Sequence, residues 1–360
     1  RNLTATISSP SEITRTNTVT ISVGAANRVE LATEAAGAAN GSSFGTQPVA
    51  RIVDVSGNLT SSTASVVASS SGATLGGTAT RGAVAGTATF TNLSLTGNSG
   101  NYVLTFASTG LTSAVQNITL GAGNATQLSI QVATTLVNDT AFATQPIVTI
   151  QDASGNTVTD GAQSTQTVTL SSSNATIGGT VSMNAVAGVA DFTGKGVKLT
   201  GLVGARNLTA TITSPSSITK TETVTLTFGS ATQLLISANS IVANSGQSFS
   251  AQPVITVADT SGNTVSNSAV SITVATSGQT LGGNSTINAA NGVASFSGLS
   301  LTGTVGTYTL TFASTGLTDA TASVVLSPGS PHRVSLSASN SVANATALAT
   351  QPVVTIYDAS

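Results

Sequence analysis

The sequence predicts an all-β protein in which one folding unit is repeated along the chain, and three observations support this. One motif, a Gln-Pro pair followed by β-branched residues and an Asp-x-Ser turn, occurs four times. Its glutamines are Gln47, Gln145, Gln252 and Gln351, so the spacings are 98, 107 and 99 residues. A fixed period of this kind indicates a repeated unit. Apolar and polar residues alternate within runs such as 307–312, which is typical of strands with one buried face. Gly, Asn and Ser turn signals separate these runs, and no stretch has helical spacing.

The elements of each unit follow in a fixed order. A Gln-Pro pair leads into a β-branched strand, which ends in an Asp-x-Ser-Gly-Asn turn that begins at Asp54, Asp152 and Asp259. Gly-Gly turns follow, and then a phenylalanine that we expect in the core, at Phe90, Phe192 and Phe296 in successive units. An alternating strand completes the unit. About seven strands in roughly 100 residues predict an immunoglobulin-like β-sandwich.

Short connectors of small residues join the units, and they are too short to act as flexible linkers. We therefore expect the sandwiches to form a linear rod. The predicted segments are the end of a preceding repeat at 1–25, short-type repeats at 26–123 and 231–329, a long-type repeat at 124–230, and the start of a further repeat at 330–360.

Two repeat types alternate along the chain. Residues 1–24 are nearly identical to 206–229, which lie 205 residues further on, whereas the repeats at 26–123 and 231–329 end differently. The long type carries about four extra residues before Phe192 and four after it. This super-period suggests duplication in pairs, and we expect the chain to be part of a longer array.

Composition excludes several classes of function. Only 6% of the residues are charged and the net charge is −2, so no basic surface is available for nucleic acid. No run of 18 apolar residues is present, which predicts no membrane-spanning helix in this segment. Cysteine is absent, and the count leaves the redox compartment open.

The order of motifs resembles the bacterial Ig-like repeats of invasin- and intimin-type cell-surface adhesins. The third repeat shows the pattern best, with the turn at 259–263, Asn-Gly-Val-Ala-Ser-Phe at 291–296 and Gly-Thr-Tyr-Thr-Leu-Thr-Phe at 306–312. The first two repeats replace the Asn-Gly step with Ala85-Gly86 and Ala187-Gly188. The resemblance implies a secreted, surface-anchored protein of stacked sandwiches and no catalytic residue.

Asp54, Asp152 and Asp259 are weak candidates for calcium ligands, because they recur at equivalent positions. Calcium prefers six to eight oxygen ligands, usually with several carboxylates, and the second acid of an Asp-x-Asp pair is replaced here by serine. An aspartate that stabilises its own turn explains the same spacing. We therefore expect no cofactor and no established metal site, with calcium as the minority alternative.

The sequence contains no recognisable set of catalytic residues. The single histidine, His332, lies in a connector without further zinc ligands, and no motif supplies a base for a serine nucleophile, so we expect no enzyme. A Lys–Asn isopeptide bond cannot be general, because all three lysines lie in the long repeat. Asn-x-Ser/Thr motifs, which allow glycosylation, begin at Asn2, Asn40, Asn58, Asn92, Asn117, Asn124, Asn138, Asn174, Asn207, Asn284 and Asn344.

The sequence therefore favours a structural role: an extracellular stalk of Ig-like domains on a bacterial cell surface that spaces or supports an adhesive or other tip. The alternative is that the repeats self-assemble into an extracellular filament, sheath or surface layer, because weakly charged faces associate at little electrostatic cost. The expected partners are neighbouring repeats of the same chain and, in the alternative, identical chains. Carbohydrate binding lacks support, since tryptophan is absent and aromatic residues make up 3% of the chain.

Overall fold

The computed structural model of the chain describes residues 1–214 and 216–360, and nearly all of its regular structure is β. The first hairpin comprises β1 (Asn2–Ile7) and β2 (Ile13–Thr18). The strands that follow, up to residue 121, are β3 (Arg28–Thr33), β4 (Ala38–Ala39), β5 (Val49–Val53), β6 (Ser65–Ser70), β7 (Thr74–Gly76), β8 (Thr80–Gly82), β9 (Thr87–Thr89), β10 (Ser94–Thr96), β11 (Gly100–Ala107) and β12 (Ala114–Gly121).

The same succession of strands recurs twice. In the second unit it comprises β13 (Gln127–Gln131), β14 (Thr135–Val137), β15 (Ile147–Gln151), β16 (Thr167–Ser171), β17 (Thr176–Gly178), β18 (Ser182–Asn184), β19 (Val189–Asp191), β20 (Lys198–Thr200), β21 (Gly204–Ile212) and β22 (Ile218–Thr227). In the third it comprises β23 (Gln233–Ile236), β24 (Ser240–Asn244), β25 (Val254–Ala258), β26 (Ser271–Thr276), β27 (Thr280–Gly282), β28 (Thr286–Asn288), β29 (Val293–Ser295), β30 (Ser300–Thr302), β31 (Gly306–Ala313) and β32 (Ala320–Ser327). A last hairpin comprises β33 (Arg333–Ser337) and β34 (Val353–Tyr357).

Three hydrophobic cores lie in succession along the chain, built from residues within 29–120, 125–226 and 234–326. A three-stranded and a five-stranded sheet enclose each core; in the first unit their strand orders are β3-β5-β9 and β4-β12-β11-β6-β8. The predicted all-β fold of tandem Ig-like sandwiches is confirmed. The exact division of the chain at 26, 124, 231 and 330 stays a prediction.

The opening segment of each unit contributes to both sheets. In the first unit, β3 pairs antiparallel with β5, and then β4 crosses to the other sheet and pairs parallel with β12. The equivalent short strands β14 and β24 pair parallel with β22 and β32. This crossing places the residue that follows each short strand at the end of the sandwich, beside the connector to the next unit.

The cores are aliphatic with few aromatic residues, as the composition requires. Phe90, Phe192 and Phe296 hold equivalent buried places, as predicted. In the first and third units the phenylalanine packs edge-to-face against Phe106 or Phe312, with ring centroids 5.5 and 5.4 Å apart.

Each unit has ten strands, whereas the sequence predicted about seven. The difference comes from short strands: each unit has four successive three-residue strands, which are β7 to β10 in the first unit, and the first two of them lie on either side of a Gly-Gly turn. In the first unit Gly77 has a φ of 86°, so the chain leaves the β7–β10 ribbon and joins β6 through β8 within a few residues. Period-two alternation is not visible in segments this short.

The extra residues of the second unit lie where the sequence places them. Before Phe192 they form a single 3-10 turn, Ala162–Thr165, which is the only helical segment in the part of the chain that the structure describes. After Phe192 they lengthen the loop to β20 and extend the last hairpin, because β21 and β22 have nine and ten residues whereas β11 and β12 have eight each.

Candidate functional site

The recurring aspartate organises its own turn. In the first unit Asp54 Oδ1 accepts hydrogen bonds from the backbone N–H groups of Ser56, at 3.0 Å, and Asn58, at 2.8 Å. Asp152 and Asp259 make the same two contacts in the second and third units, at 2.9 and 3.0 Å. The aspartate is therefore a turn-former, since a side chain that accepts from the backbone two residues on closes an Asx turn.

The second carboxylate oxygen ties this turn to the connector that precedes its unit. Asp54 Oδ2 accepts the N–H of Gly24 at 2.9 Å, although the two residues are 30 positions apart. The same bond joins Gly123 to Asp152 and Gly229 to Asp259, at 2.8 Å in both cases, and Gly329 to Asp358 at 2.6 Å. The turn therefore lies directly at the joint between two units.

An asparagine from the preceding unit completes the joint. Asn40 follows β4, and its Nδ2 donates to Asp152 Oδ2 at 2.9 Å and to Ser154 Oγ at 2.8 Å in the next unit. Its Oδ1 accepts the N–H of Gly97 in its own unit at 2.9 Å. A single side-chain amide thus bridges two sandwiches, and we call the set of bonds around it the Asn–Asp clasp.

The joint between the second and third units repeats the clasp. Asn138 follows β14 and donates to Asp259 Oδ2 at 2.8 Å and to Ser261 Oγ at 2.9 Å. Its Oδ1 accepts the N–H of Gly201 at 2.9 Å. Asn138 and Asp259 are 2% and 1% exposed, so water competes little for these bonds.

A second asparagine reaches back in the opposite direction. Asn156, which ends the turn of the second unit, donates to the Gly97 carbonyl at 3.0 Å and accepts the N–H of Ser99 at 2.7 Å. Asn263 repeats both bonds in the next joint, at 2.9 Å each, with Gly201 and Val203. Each clasped joint therefore carries hydrogen bonds donated from both sides, which restrains rotation better than a single bond would.

Glycine is required in the connector because the two units approach closely there. A Cβ added to Gly229 would lie 2.7 Å from the carbonyl oxygen of Asn138, and one on Gly123 would lie closer still to that of Asn40. Neither glycine has a positive φ, so the requirement is for space and not for an unusual backbone conformation. The connector therefore packs directly on the backbone of the clasp asparagine.

The clasp keeps its buried aspartates ionised. Burial disfavours the charged form of Asp152, but hydrogen bonds from Gly123, Asn156 and Asn40 outweigh it and hold the pKa of this carboxyl below its ordinary value. The pKa of Asp259 is lowered by the equivalent set of donors against the same burial. At Asp54, hydrogen bonds from the Asn58 side chain and the Gly24 and Asn58 backbone lower the pKa to about 2.

The same donors make a poor environment for calcium. N–H groups from four residues point at the carboxylate of Asp152, and their positive ends would face a cation. Across the described residues, 1–214 and 216–360, there is no group of three or more His, Cys, Asp or Glu side chains that could hold a metal ion. The donor set at Asp54, Asp152 and Asp259 therefore fits a turn and a clasp better than a calcium site.

The remaining sequence candidates lie apart from one another. The backbone N–H of His332 donates to the Tyr357 carbonyl at 2.8 Å within the last hairpin region. Lys198 forms an ion pair with Asp139, Nζ to Oδ1 at 2.7 Å, and Lys220 pairs with Glu222. Of the glycosylation motifs, those that begin at Asn40 and Asn138 are occupied by the clasp, and both asparagines are buried.

The sequence interpretation named Asn40 and Asn138 only as glycosylation motifs and missed their role at the joints. Both lie seven residues before the recurring glutamine, at Gln47 and Gln145, so the repeat alignment contained a signal for them. That alignment cannot show that the asparagine contacts the aspartate of the following unit, which is more than 110 residues away.

Comparisons with known proteins give distant structural likenesses only. No family model matches the chain, and no curated protein matches it. The Escherichia coli adhesin FdeC matches with a TM-score of 0.35 and 15% identity, over 85% of this chain and 100% of that one. The D0-D1 domain of intimin matches with a TM-score of 0.21 and 19% identity, over 56% of this chain and 98% of that one.

A beta-glycosidase from Bacteroides vulgatus also matches, with a TM-score of 0.26 and 12% identity, over 56% of this chain. The match covers 25% of the length of that enzyme. Similarity at these levels gives no argument about activity or partners. A separate observation is that no helix in the described part of the chain has the length and apolar character needed to cross a membrane.

Proposed function

We propose that this chain is a segment of an extracellular stalk on a bacterial cell surface, in which clasped Ig-like sandwiches hold an adhesive or other tip away from the cell. The observation that carries the proposal is the Asn–Asp clasp at two successive joints. Short connectors keep neighbouring sandwiches close together but still allow some rotation of one sandwich against the next. Buried hydrogen bonds from both sides restrict that motion, which is what a spacer needs.

The chemistry of the chain suits this role. Each sandwich has its own core, so stability is approximately a sum over units and joints, and an array of this kind can be extended without a new fold. The Lys and Arg residues number ten in 360, so trypsin-like proteases have few sites. The scarcity of such sites favours survival outside the cell.

Electron microscopy of the purified chain tests the proposal against self-assembly. We expect isolated thin particles whose length varies little from one to the next, because the clasps connect units within one chain. Regular bundles, tubes or sheets would instead support the filament or surface-layer alternative. The cellular part of the proposal needs a second experiment, in which antibodies against the repeats label intact cells of the source organism without permeabilisation; labelling only after lysis would contradict it.

A further inference from the structure

We propose that the residue directly after the short crossing strand, at positions 40, 138 and 245, sets the stiffness of the joint after its unit, and that the joint after the third unit is the hinge of this segment. The inference concerns the joints themselves. It holds or fails independently of where the protein is located and of what it carries.

At this position the third joint carries serine, whereas the first two carry asparagine. Ser245 follows β24 as Asn40 follows β4, and its backbone N–H donates to the last strand of its unit in the same way, at 3.0 Å. Ser245 Oγ accepts the N–H of Gly303 at 3.1 Å, as Asn40 Oδ1 accepts that of Gly97 at 2.9 Å. Position 245 therefore holds the same place in the fold as positions 40 and 138, with a different side chain.

The serine hydroxyl cannot make the clasp. An asparagine amide has two N–H donors and a separate acceptor oxygen, whereas a hydroxyl has a single hydrogen. Ser245 Oγ lies 2.9 Å from Ser360 Oγ and 3.1 Å from the Gly303 carbonyl, and it makes no hydrogen bond to the carboxylate of Asp358. The charge-assisted bond that joins the two units at the other joints is absent between these residues.

The acceptors for a clasp are nevertheless in place. Asp358 Oδ2 accepts the N–H of the connector residue Gly329, as Asp152 Oδ2 accepts that of Gly123. The N–H of Ser360 donates to Asp358 Oδ1, as that of Ser154 donates to Asp152 Oδ1, and the Ser360 Oγ donates to the same oxygen. An asparagine at position 245 would therefore meet the same carboxylate and hydroxyl oxygens that Asn40 meets in Asp152 and Ser154.

Distances between spin labels across the joints test the proposal in the full 360-residue chain. The chain contains no cysteine, so introduced pairs label cleanly. Equivalent exposed positions are Val67 in β6, Thr169 in β16 and Thr273 in β26, and Thr355 serves for the last hairpin. Double electron–electron resonance should give narrow distance distributions for the label pairs 67–169 and 169–273, and a broad distribution for the pair 273–355.

Reciprocal substitutions then separate the clasp from the rest of the joint. Asn138→Ser should broaden the 169–273 distance distribution and leave the 67–169 distribution narrow. The population in which the second joint is open should rise roughly tenfold or more, because a hydrogen bond to a charged group is lost. Ser245→Asn should narrow 273–355. Ser277→Asn, on an exposed turn of the third unit, is the matched control and should change neither distribution.

Two results would overturn the proposal. One is a 169–273 distribution that stays as narrow in Asn138→Ser as in the native chain. The other is a 273–355 distribution that Ser245→Asn leaves broad. Circular dichroism of each variant shows whether its sandwiches remain folded, and Ser245→Asn removes no native contact of the cores, so it tests the proposal even if Asn138→Ser unfolds.

Discussion

Ala85 and Ala187 occupy a backbone conformation that L-residues with a Cβ disfavour. Their φ angles are 50° and 47°, and Asn291 holds the equivalent place at 52°. In each unit a glycine with positive φ follows, and the flanking residues form an isolated bridge, such as that of Val84 with Thr87. Two successive residues with positive φ define a type I′ turn, for which Asn-Gly is favoured.

Ala85→Asn should therefore stabilise the first unit, by about 0.5 to 1 kcal/mol, because asparagine tolerates the left-handed region better than alanine. The side chain is exposed, so no packing changes. Amide hydrogen exchange read by mass spectrometry measures each unit separately within the whole chain. Asn291→Ala is the mirror control and should weaken the third unit by a similar amount; equal exchange in all three proteins would contradict the turn argument.

The buried aspartates predict that the joints are sensitive to acid. Their pKa values are lower in the folded chain than the ordinary value of 3.8, and that of Asp54 is about 2. A carboxyl whose folded pKa is lowered contributes its stability above the unfolded pKa and loses it as the pH falls through the folded value. The melting temperature should therefore be level from pH 7 to about 5 and fall between about pH 4 and pH 2.

Asp259→Asn checks the source of that dependence. The variant should melt at a lower temperature at pH 7, because the Asn263, Gly229 and Asn138 donors lose a charged acceptor. It should also lose less stability than the native chain as the pH falls below about 4. If both proteins show the same acid dependence, Asp259 does not contribute to it.

The connector glycines give a prediction about the packing of neighbouring units. Gly229→Ala places a Cβ against the Asn138 carbonyl and should separate the second and third units, at a cost of about 1 to 3 kcal/mol, as for other overpacked sites. The amide exchange of residue 229, whose N–H donates to Asp259 in the native chain, should become faster. Gly82→Ala is the control, because a Cβ there meets nothing within 4 Å, and its melting temperature should not fall.

Elements with long alternating strands were predictable, and elements that depend on contacts between units were not. The last two strands of each sandwich are eight residues or longer, so period-two alternation identified them. Three-residue strands such as β7 and β8 are too short for that signal. The Asp-x-Ser-Gly-Asn turn was read correctly from local chemistry, but the clasp partner Asn40 belongs to another unit and is fixed only by three-dimensional packing.

The distribution of charge over the whole molecule follows from the strand pattern. On the solvent-facing side of the five-stranded sheet in the second unit, β22 presents threonines at alternate positions from 219 to 225. β21 and β16 present mainly threonine beside them, and cross-strand hydroxyls meet, as in Thr209 with Thr221 at 2.8 Å. Among the described strands of the three five-stranded sheets, no Lys, Arg, Asp or Glu lies at a position that faces outward in the strand alternation.

Salt should therefore change the stability of the chain very little. The ion pairs of the described residues are Arg28–Glu30, Lys198–Asp139 and Lys220–Glu222. Their side chains are all more than 30% exposed, so solvent screening leaves each pair only a small contribution to stability. The clasp carboxylates are bound by neutral N–H donors at short range, and screening by dissolved ions weakens such buried bonds much less than it weakens exposed pairs. We expect the melting temperature at pH 7 to shift by no more than about 2 °C between low salt and about 0.5 M sodium chloride. Calorimetry in a series of decreasing pH at constant salt separates the two effects, since acid titrates the carboxylates whereas salt leaves them ionised. A large decrease in melting temperature with salt at pH 7 would show that exposed charges, and not apolar cores and buried hydrogen bonds, hold the array together.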